Sequence, residues 1–262
     1  MFKALSKDDT AIAFERSGEG PAVILVDGAL CYRGFGPMGR LGAHLAPYFT
    51  VFRYDRRGRG ESGDNHPYSI EREIEDLDAI IQEAGGTAFV YGISSGAALA
   101  LQAAAFGLNI KKLAVYEPPF VIGESDRRPP EDSSTQLHEL ISSGRCGDAV
   151  EFFMTQMVGL PVEAVAPLRG APEWPLLETS APSLVYDATI MEDENWSLPK
   201  QVALIQMPTL VMVGGLSAAP MHRAVQAVAK AVPGAQLRIL EDQTHEVTPE
   251  AIGPVLKAFF LD

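Results

Sequence analysis

Cysteine is nearly absent from this chain of 262 residues, which has only Cys31 and Cys146. Two cysteines so far apart form neither a disulfide framework nor a metal-binding spacing, so the simplest setting is a reducing cytoplasm. Long apolar runs are also missing. None approaches the roughly 20 residues that span a bilayer, and the opening stretch MFKALSKDDT is too short and too charged for a secretory signal. We therefore expect no membrane partner.

Basic residues are few as well. Lysine and arginine number 21 against 34 aspartates and glutamates, which gives a formal charge of −13. Because no basic patch balances this charge, we expect no binding to a nucleic-acid backbone. No motif for an organic cofactor or a metal is present, so we expect neither. The length fits one domain, or one domain that carries an insertion.

What the sequence does contain is a series of short apolar runs that alternate with helical patterns, as is typical of an α/β sheet protein. PAVILVDG, bounded by Pro21 and Gly28, is a continuous apolar run of the kind found in strands buried on both faces. The predicted strands are TAIAFERSG, PAVILVDG, TVFRYD, TAFVYG, KLAVYE, TLVMVG and AQLRIL.

Helical periodicity is clear in SIEREIEDLDAIIQEAGG and in TPEAIGPVLKAFF, each of which has apolar residues along one face. Residues 120–200 break the alternation, because they contain proline-rich joints and short helical patterns without a clear strand. We therefore predict a core made of residues 1–119 and 201–262, with residues 120–200 inserted as a helical cap.

The chemistry is indicated by Gly92-Ile93-Ser94-Ser95-Gly96, a G-x-S-x-G pattern. The predicted strand TAFVYG leads directly into it and an alanine-rich helix leads out. Such a turn lifts a serine hydroxyl above the edge of the sheet, and the glycines give the bend room. The backbone amide of Ser95, at the start of the helix, would then face a developing oxyanion.

With this elbow, the chain resembles the α/β-hydrolase family. YDRRGRGES, from Tyr54 to Ser62, resembles the D-x-R-G-x-G-x-S loop of that family, and VDGAL resembles its oxyanion loop with Asp27 in place of histidine. The resemblance implies Ser94 as the nucleophile and His245, in EDQTHEV, as the base. It also implies that the amide of Gly28 or of Ala29 is the second oxyanion donor, and the sequence does not choose between them.

The catalytic acid is the open question, because Ser217 stands in the late loop where many members of the family have an aspartate. Asp242 is close to His245 in sequence, and Asp187, Glu192 and Asp193 lie in the predicted cap. We favour Glu117, since its strand follows the nucleophile helix and should lie beside the nucleophile strand. The zearalenone-lactonase branch of the family takes its acid from this strand, and the chain resembles that branch in its D-G oxyanion loop, its adjacent serines and this glutamate.

The substrate is predicted from apolar residues around the proposed site. Aromatic and methionine side chains over a catalytic rim favour a mostly apolar small molecule. The predicted pocket consists of Leu30, Phe153, Met154, Met157, Trp174, Tyr186 and Trp196. We predict hydrolysis of a carboxylic ester or lactone by a monomer or homodimer, the lactone being implied only by the resemblance. A non-hydrolytic enzyme of the same fold (a perhydrolase, a lyase or a biosynthetic acyl enzyme) and an inactive binding module are the alternatives.

Overall fold

The structure, a computed structural model, describes residues 1–192 and 196–262, and for Glu192 it describes the backbone only. One sheet of eight strands lies at its centre, in the order β1-β2-β4-β3-β5-β6-β7-β8. The strands are β1 (Phe2–Leu5), β2 (Ala11–Ser17), β3 (Ala22–Val26), β4 (Thr50–Tyr54), β5 (Ala88–Ile93), β6 (Ile110–Tyr116), β7 (Thr209–Gly214) and β8 (Gln236–Leu240).

The sheet is mostly parallel. Only β1 and β2 run antiparallel to their neighbours, while β3 to β8 pair in parallel across the rest of the sheet. The central strands β5 and β7 are buried along their whole length, as their continuous apolar sequences predict. The predicted α/β architecture with a mostly parallel sheet is confirmed. Strand β1 is the one described strand that the sequence pattern did not predict.

Helices cover both faces of the sheet. One apolar layer packs α1 (Met38–Leu45) and α10 (Pro249–Leu261) on β3, β5 and β7. The opposite layer packs α2 (Ile70–Glu83), α3 (Ser95–Phe106) and α9 (Ala219–Ala231) on the other face. Because each strand places alternate side chains into the two layers, the inner strands have no polar face.

Between β6 and β7 the chain forms a set of short helices, and residues 120–200 are called the helical segment below. It comprises α4 (Ser133–Ser142), α5 (Cys146–Phe152), π-helical turns at Phe153–Val158, α6 (Val162–Val165), α7 (Trp174–Ser180) and α8 (Leu184–Glu192), with 3₁₀ turns at Ala166–Gly170 and Ala181–Ser183. A further 3₁₀ turn, Lys200–Leu204, leads back to the sheet. The described residues of this segment contain no strand.

The parallel arrangement explains where polar side chains collect. The loops that leave β3, β5, β6, β7 and β8 begin at the same edge of the sheet, since these strands point the same way. Those loops contain Gly28, Ser94, Glu117, Ser217 and His245, respectively. No helix in the described part of the chain has the length and the apolar character that a membrane span requires.

Candidate active site

Ser94 forms a sharp turn between β5 and α3. Its backbone has φ 56° and ψ −128°, a conformation that a residue with a side chain seldom adopts, and its N–H donates to the carbonyl of Tyr116 at 2.9 Å. A Cβ built at Gly92 would lie 2.5 Å from the Gly96 carbonyl oxygen, and one built at Gly96 would lie 2.5 Å from the Val26 carbonyl oxygen. Both glycines are therefore required by close backbone contacts, and the partly exposed Ser94 is held by them.

Glu117 is the residue that follows β6, and its side chain is fully buried. Its Oε2 lies 2.7 Å from Nδ1 of His245. Its Oε1 accepts two hydrogen bonds, from the N–H of Gly214 at 2.8 Å and from the hydroxyl of Ser217 at 2.5 Å. The carboxylate thus contacts both the loop after β7 and the loop that holds the histidine.

These contacts decide the charge of Glu117. Burial alone would raise the pKa of its carboxyl, but the hydrogen bonds from His245, Ser217 and Gly214 outweigh burial, and the pKa lies below its usual value. An ionised carboxylate can only accept hydrogen bonds. The Nδ1 of His245 must therefore be the donor, which leaves Nε2 of the neutral ring free to accept a proton.

The loop around His245 is fixed on several sides. Tyr116 donates its hydroxyl to the carbonyl of Thr244 at 2.5 Å, and Leu216 donates its N–H to the carbonyl of Gln243 at 2.9 Å. The side chain of Gln243 accepts from the N–H of Thr248 at 3.0 Å. The imidazole is held at Nδ1 by Glu117, and 49% of the His245 side chain is exposed to solvent.

The other acids weighed from the sequence lie elsewhere. Asp242 is exposed in the turn before His245. Asp187 is buried against Arg56, Arg59 and Ser95, whose hydroxyl donates to it at 2.7 Å. Asp193 and the side chain of Glu192 lie outside the described part of the chain. Among the weighed acids that the structure describes, Glu117 has the hydrogen bond to His245.

Gly28 lies directly against the elbow. A Cβ built on it would be 3.1 Å from the Cβ of Ser94 and 3.7 Å from its Oγ, so a side chain there would crowd the serine. Ala29 follows it, and Leu30 has a left-handed backbone with φ 62°. Ser95 is the first residue of α3, so its N–H has no acceptor within the helix. The residues expected to supply oxyanion donors are thus gathered next to Ser94.

The predicted pocket residues divide into two groups. Six of the seven belong to or pack against one apolar cluster between the oxyanion loop and the helical segment, namely Leu30, Phe153, Met154, Met157, Trp174 and Trp196. Tyr186 stands apart. Its ring stacks on Tyr68 with the centroids 3.9 Å apart, and its hydroxyl donates to Asp64 at 2.7 Å.

Sequence reasoning missed part of the polar structure around this site. Ser217 was noted only as a missing acid, whereas its hydroxyl bonds the carboxylate of Glu117. Arg56 and Arg59 occupy the variable positions of the D-x-R-G-x-G-x-S loop and are buried. Charged residues at variable positions of a loop between buried segments were the available signal. Within the described residues, no group of three or more His, Cys, Asp or Glu side chains is placed to hold a metal ion.

The comparisons with known proteins identify the family and the fold. The profile of the Alpha/beta hydrolase family matches residues 23–253. This chain therefore belongs to the alpha/beta hydrolase family, as its sequence motifs predicted. Its mostly parallel eight-stranded sheet with flanking helices is the alpha/beta hydrolase fold.

Three individual proteins are similar to this chain to different extents. An alpha/beta hydrolase from Sphaerobacter thermophilus, known from its crystal structure, is 52% identical in sequence. The match covers 98% of this chain and 99% of that chain, with a TM-score of 0.93. The enol-lactonase from Burkholderia xenovorans is 20% identical over 99% and 100% of the two chains, with a TM-score of 0.73, which shows a shared fold. An uncharacterized hydrolase of Bacillus subtilis, YraK, is 32% identical over 97 residues, which is 34% of this chain and 34% of that protein.

Proposed function

We propose that this protein is a serine hydrolase that cleaves a carboxylic ester or lactone of a mostly apolar small molecule. Ser94 is its nucleophile, His245 its base and Glu117 its acid. The observation that carries the proposal is the 2.7 Å contact between Nδ1 of His245 and the buried carboxylate of Glu117, on the same sheet edge as the Ser94 elbow. The position of Glu117 also supports the resemblance to the zearalenone-lactonase branch.

In the proposed mechanism, Nε2 of His245 takes the proton of the Ser94 hydroxyl while Oγ of Ser94 attacks the acyl carbonyl of the substrate. Glu117 stabilises the imidazolium that forms, because its carboxylate stays ionised. The N–H of Ser95 and that of Gly28 or Ala29 bind the oxyanion, and one such donor contributes on the order of 3 kcal/mol. His245 then protonates the leaving alcohol, and a water molecule activated in the same way releases the acid.

The substrate class is proposed from the apolar cluster that contains Leu30, Phe153, Met157 and Trp174. We propose that the helical segment is the cap that places this cluster beside Ser94. The enol-lactonase shares the fold and supports a lactone only as an analogy. The cytoplasmic setting and the monomeric or homodimeric state remain predictions from the sequence.

The test uses purified protein with a fluorophosphonate probe and short p-nitrophenyl esters. Wild type should be labelled and should turn over the ester, Ser94→Ala should lose both, and Glu117→Gln should lose turnover while Asp242→Asn retains it. Asp242 is the matched control because it is an exposed acid three positions before His245. Labelling without ester turnover would favour non-hydrolytic chemistry at the same serine. A wild type that neither labels nor turns over the ester would favour a binding module.

A further inference from the structure

The cap acid Asp187 has a role in the structure that differs from the one weighed in the sequence. It lies on α8 in the helical segment, and only 1% of its side chain is exposed. Its Oδ1 accepts from the hydroxyl of Ser95 at 2.7 Å and from Nη1 of Arg56 at 2.8 Å. Its Oδ2 accepts from Nη2 of Arg59 at 2.6 Å. A single carboxylate therefore joins the helical segment to two elements of the core.

One of these elements belongs to the proposed oxyanion hole, and the other is hydrogen-bonded to it. Ser95, bonded directly, is the residue whose N–H begins α3. Arg59, the second partner, donates from Nη1 to the carbonyl of Gly28 at 2.6 Å. In a trans peptide the C=O and the following N–H share one plane and point in opposite directions. Fixing the Gly28 carbonyl therefore also fixes the direction of the Ala29 N–H.

The charges in this cluster depend on one another. Arg56 also forms two hydrogen bonds with Glu73, each of 2.7 Å, so the two buried arginines face two buried carboxylates. Burial would raise the pKa of Asp187, but the charges of Arg59 and Arg56 outweigh burial and lower it. Asp187 is thus held as an anion, and its removal would leave Arg59 with backbone carbonyls as its hydrogen-bond partners among the described residues.

We infer that Asp187 is a positioning residue of the oxyanion hole: through Ser95 on one side and Arg59 on the other, it couples the docking of the helical segment to the orientation of the oxyanion donors. The inference rests on the proposed function. Oxyanion donors act only when they are held in place before the reaction, because stabilisation depends on dipoles that need no reorganisation. A carboxylate that reaches both sides of the hole at once meets this need.

The substitution Asp187→Asn tests the inference because it keeps the shape of the side chain. Its NH₂ group must face either Arg56 or Arg59, and both of these are donors. Whichever way the amide turns, the hydrogen bond to one of the two arginines is therefore lost. We expect kcat for a p-nitrophenyl ester to fall about 10- to 100-fold while KM changes by less than about threefold, since the donors act on the transition state. The matched control is Thr189→Val on the same helix, where the hydroxyl has the Val185 carbonyl as its hydrogen-bond partner among the described residues.

A double-mutant cycle with Ser95→Ala separates positioning from general stability. If Asp187 acts through Ser95, the two losses in kcat should not multiply, because the second substitution breaks a bond already lost. All rates are compared at a temperature where circular dichroism shows each variant folded. An Asp187→Asn enzyme whose kcat stays within about twofold of wild type, or two losses that multiply fully, would overturn the inference.

The two proposals fail in different ways. A wild type without labelling or turnover contradicts the proposed function, whereas an active wild type with an equally active Asp187→Asn variant contradicts only the inference. If Asp187→Asn does not fold, Ser95→Ala and Arg59→Gln carry the test, because each breaks one side of the cluster. A drop in kcat of about fivefold or more in either supports the inference, and both within about twofold of wild type overturn it.

Discussion

Replacing Glu117 with glutamine exchanges one carboxylate oxygen for an NH₂ group in a buried position where three donors converge. The N–H of Gly214 is a fixed donor and can be satisfied only by an oxygen. The hydroxyl of Ser217, on the same side, can rotate. The amide oxygen must therefore face Gly214, which turns the NH₂ group towards Nδ1 of His245.

That orientation reverses the hydrogen bond to the histidine. Because the NH₂ group donates, Nδ1 must become the acceptor, and the ring proton moves to Nε2, where it would block the proposed proton transfer from Ser94. The same tautomer change in a serine protease triad lowers kcat about 10⁴-fold, and we expect a loss of that order here. The imidazolium would also lose its anionic partner, which would lower kcat further.

The assay is steady-state turnover of a p-nitrophenyl ester by wild type, Glu117→Gln and the control Asp242→Asn, with fluorophosphonate labelling rates in parallel. Glu117→Gln should remain folded, since glutamine keeps the volume and the Gly214 hydrogen bond. A folded Glu117→Gln enzyme with a kcat within about tenfold of wild type would refute the reasoning, because a wrong tautomer cannot sustain that rate. A comparable loss of turnover in Asp242→Asn would show that the assignment of the catalytic acid to Glu117 is wrong.

Three further predictions concern residues around the site. Burial raises the pKa of Asp27 to about 8. Its neutral form therefore favours folding fully below pH ~4, and this contribution is lost as the pH rises through 8, by up to about 1.4 kcal/mol per pH unit. Asp27→Asn should remove that slope in urea unfolding at pH 5 to 8. Ser217→Ala removes one of three donors to Glu117 and should lower ester kcat about tenfold or more, because a hydrogen bond to a charged group contributes about 1.5–3 kcal/mol and about 1.4 kcal/mol is a factor of ten in rate. Gly96→Ala should lower the free energy of unfolding by about 3 kcal/mol, since its Cβ would meet the Val26 carbonyl.

Each of these predictions has a control or an outcome that would contradict it. Gly170→Ala should change the free energy of unfolding by less than about 0.5 kcal/mol, because a Cβ at this exposed glycine meets no atom within 4 Å. An equal pH slope in wild type and Asp27→Asn would show that another group titrates. If Ser217→Ala keeps full activity, Gly214 and His245 alone suffice to orient Glu117.

The fold was largely predictable because most of its strands have a sequence pattern that can be recognised within a few consecutive residues. Strands buried on both faces are continuous apolar runs, and seven of the eight were predicted from such runs or from alternation. Strand β1 was missed because it lies at the edge of the sheet and buries only Ala4, so it has no pattern to detect. Its pairing with β2 depends on the tertiary structure.

The candidate site was predictable to the extent that it is local. The elbow around Ser94 occupies five consecutive residues, and Glu117 followed from the adjacency of β5 and β6. The hydrogen bond from Ser217 to Glu117 spans 100 positions and that from Ser95 to Asp187 spans 92. Neither contact can therefore be recognised from a local sequence pattern. Tyr186 was assigned to the pocket by residue type alone, and its stacking on Tyr68 depends on contacts that no short stretch encodes.

The half-open imidazole of His245 has a consequence for the kind of molecule that reacts well. Electrostatic stabilisation weakens where water has access, so an uncovered ring gives up part of the benefit of its buried carboxylate. In the proposed reaction, the substrate itself would have to shield the ring from water. A bulky substrate that covers the ring would then have the higher kcat. A small ester would leave the ring in contact with water and would react slowly, even if it binds readily.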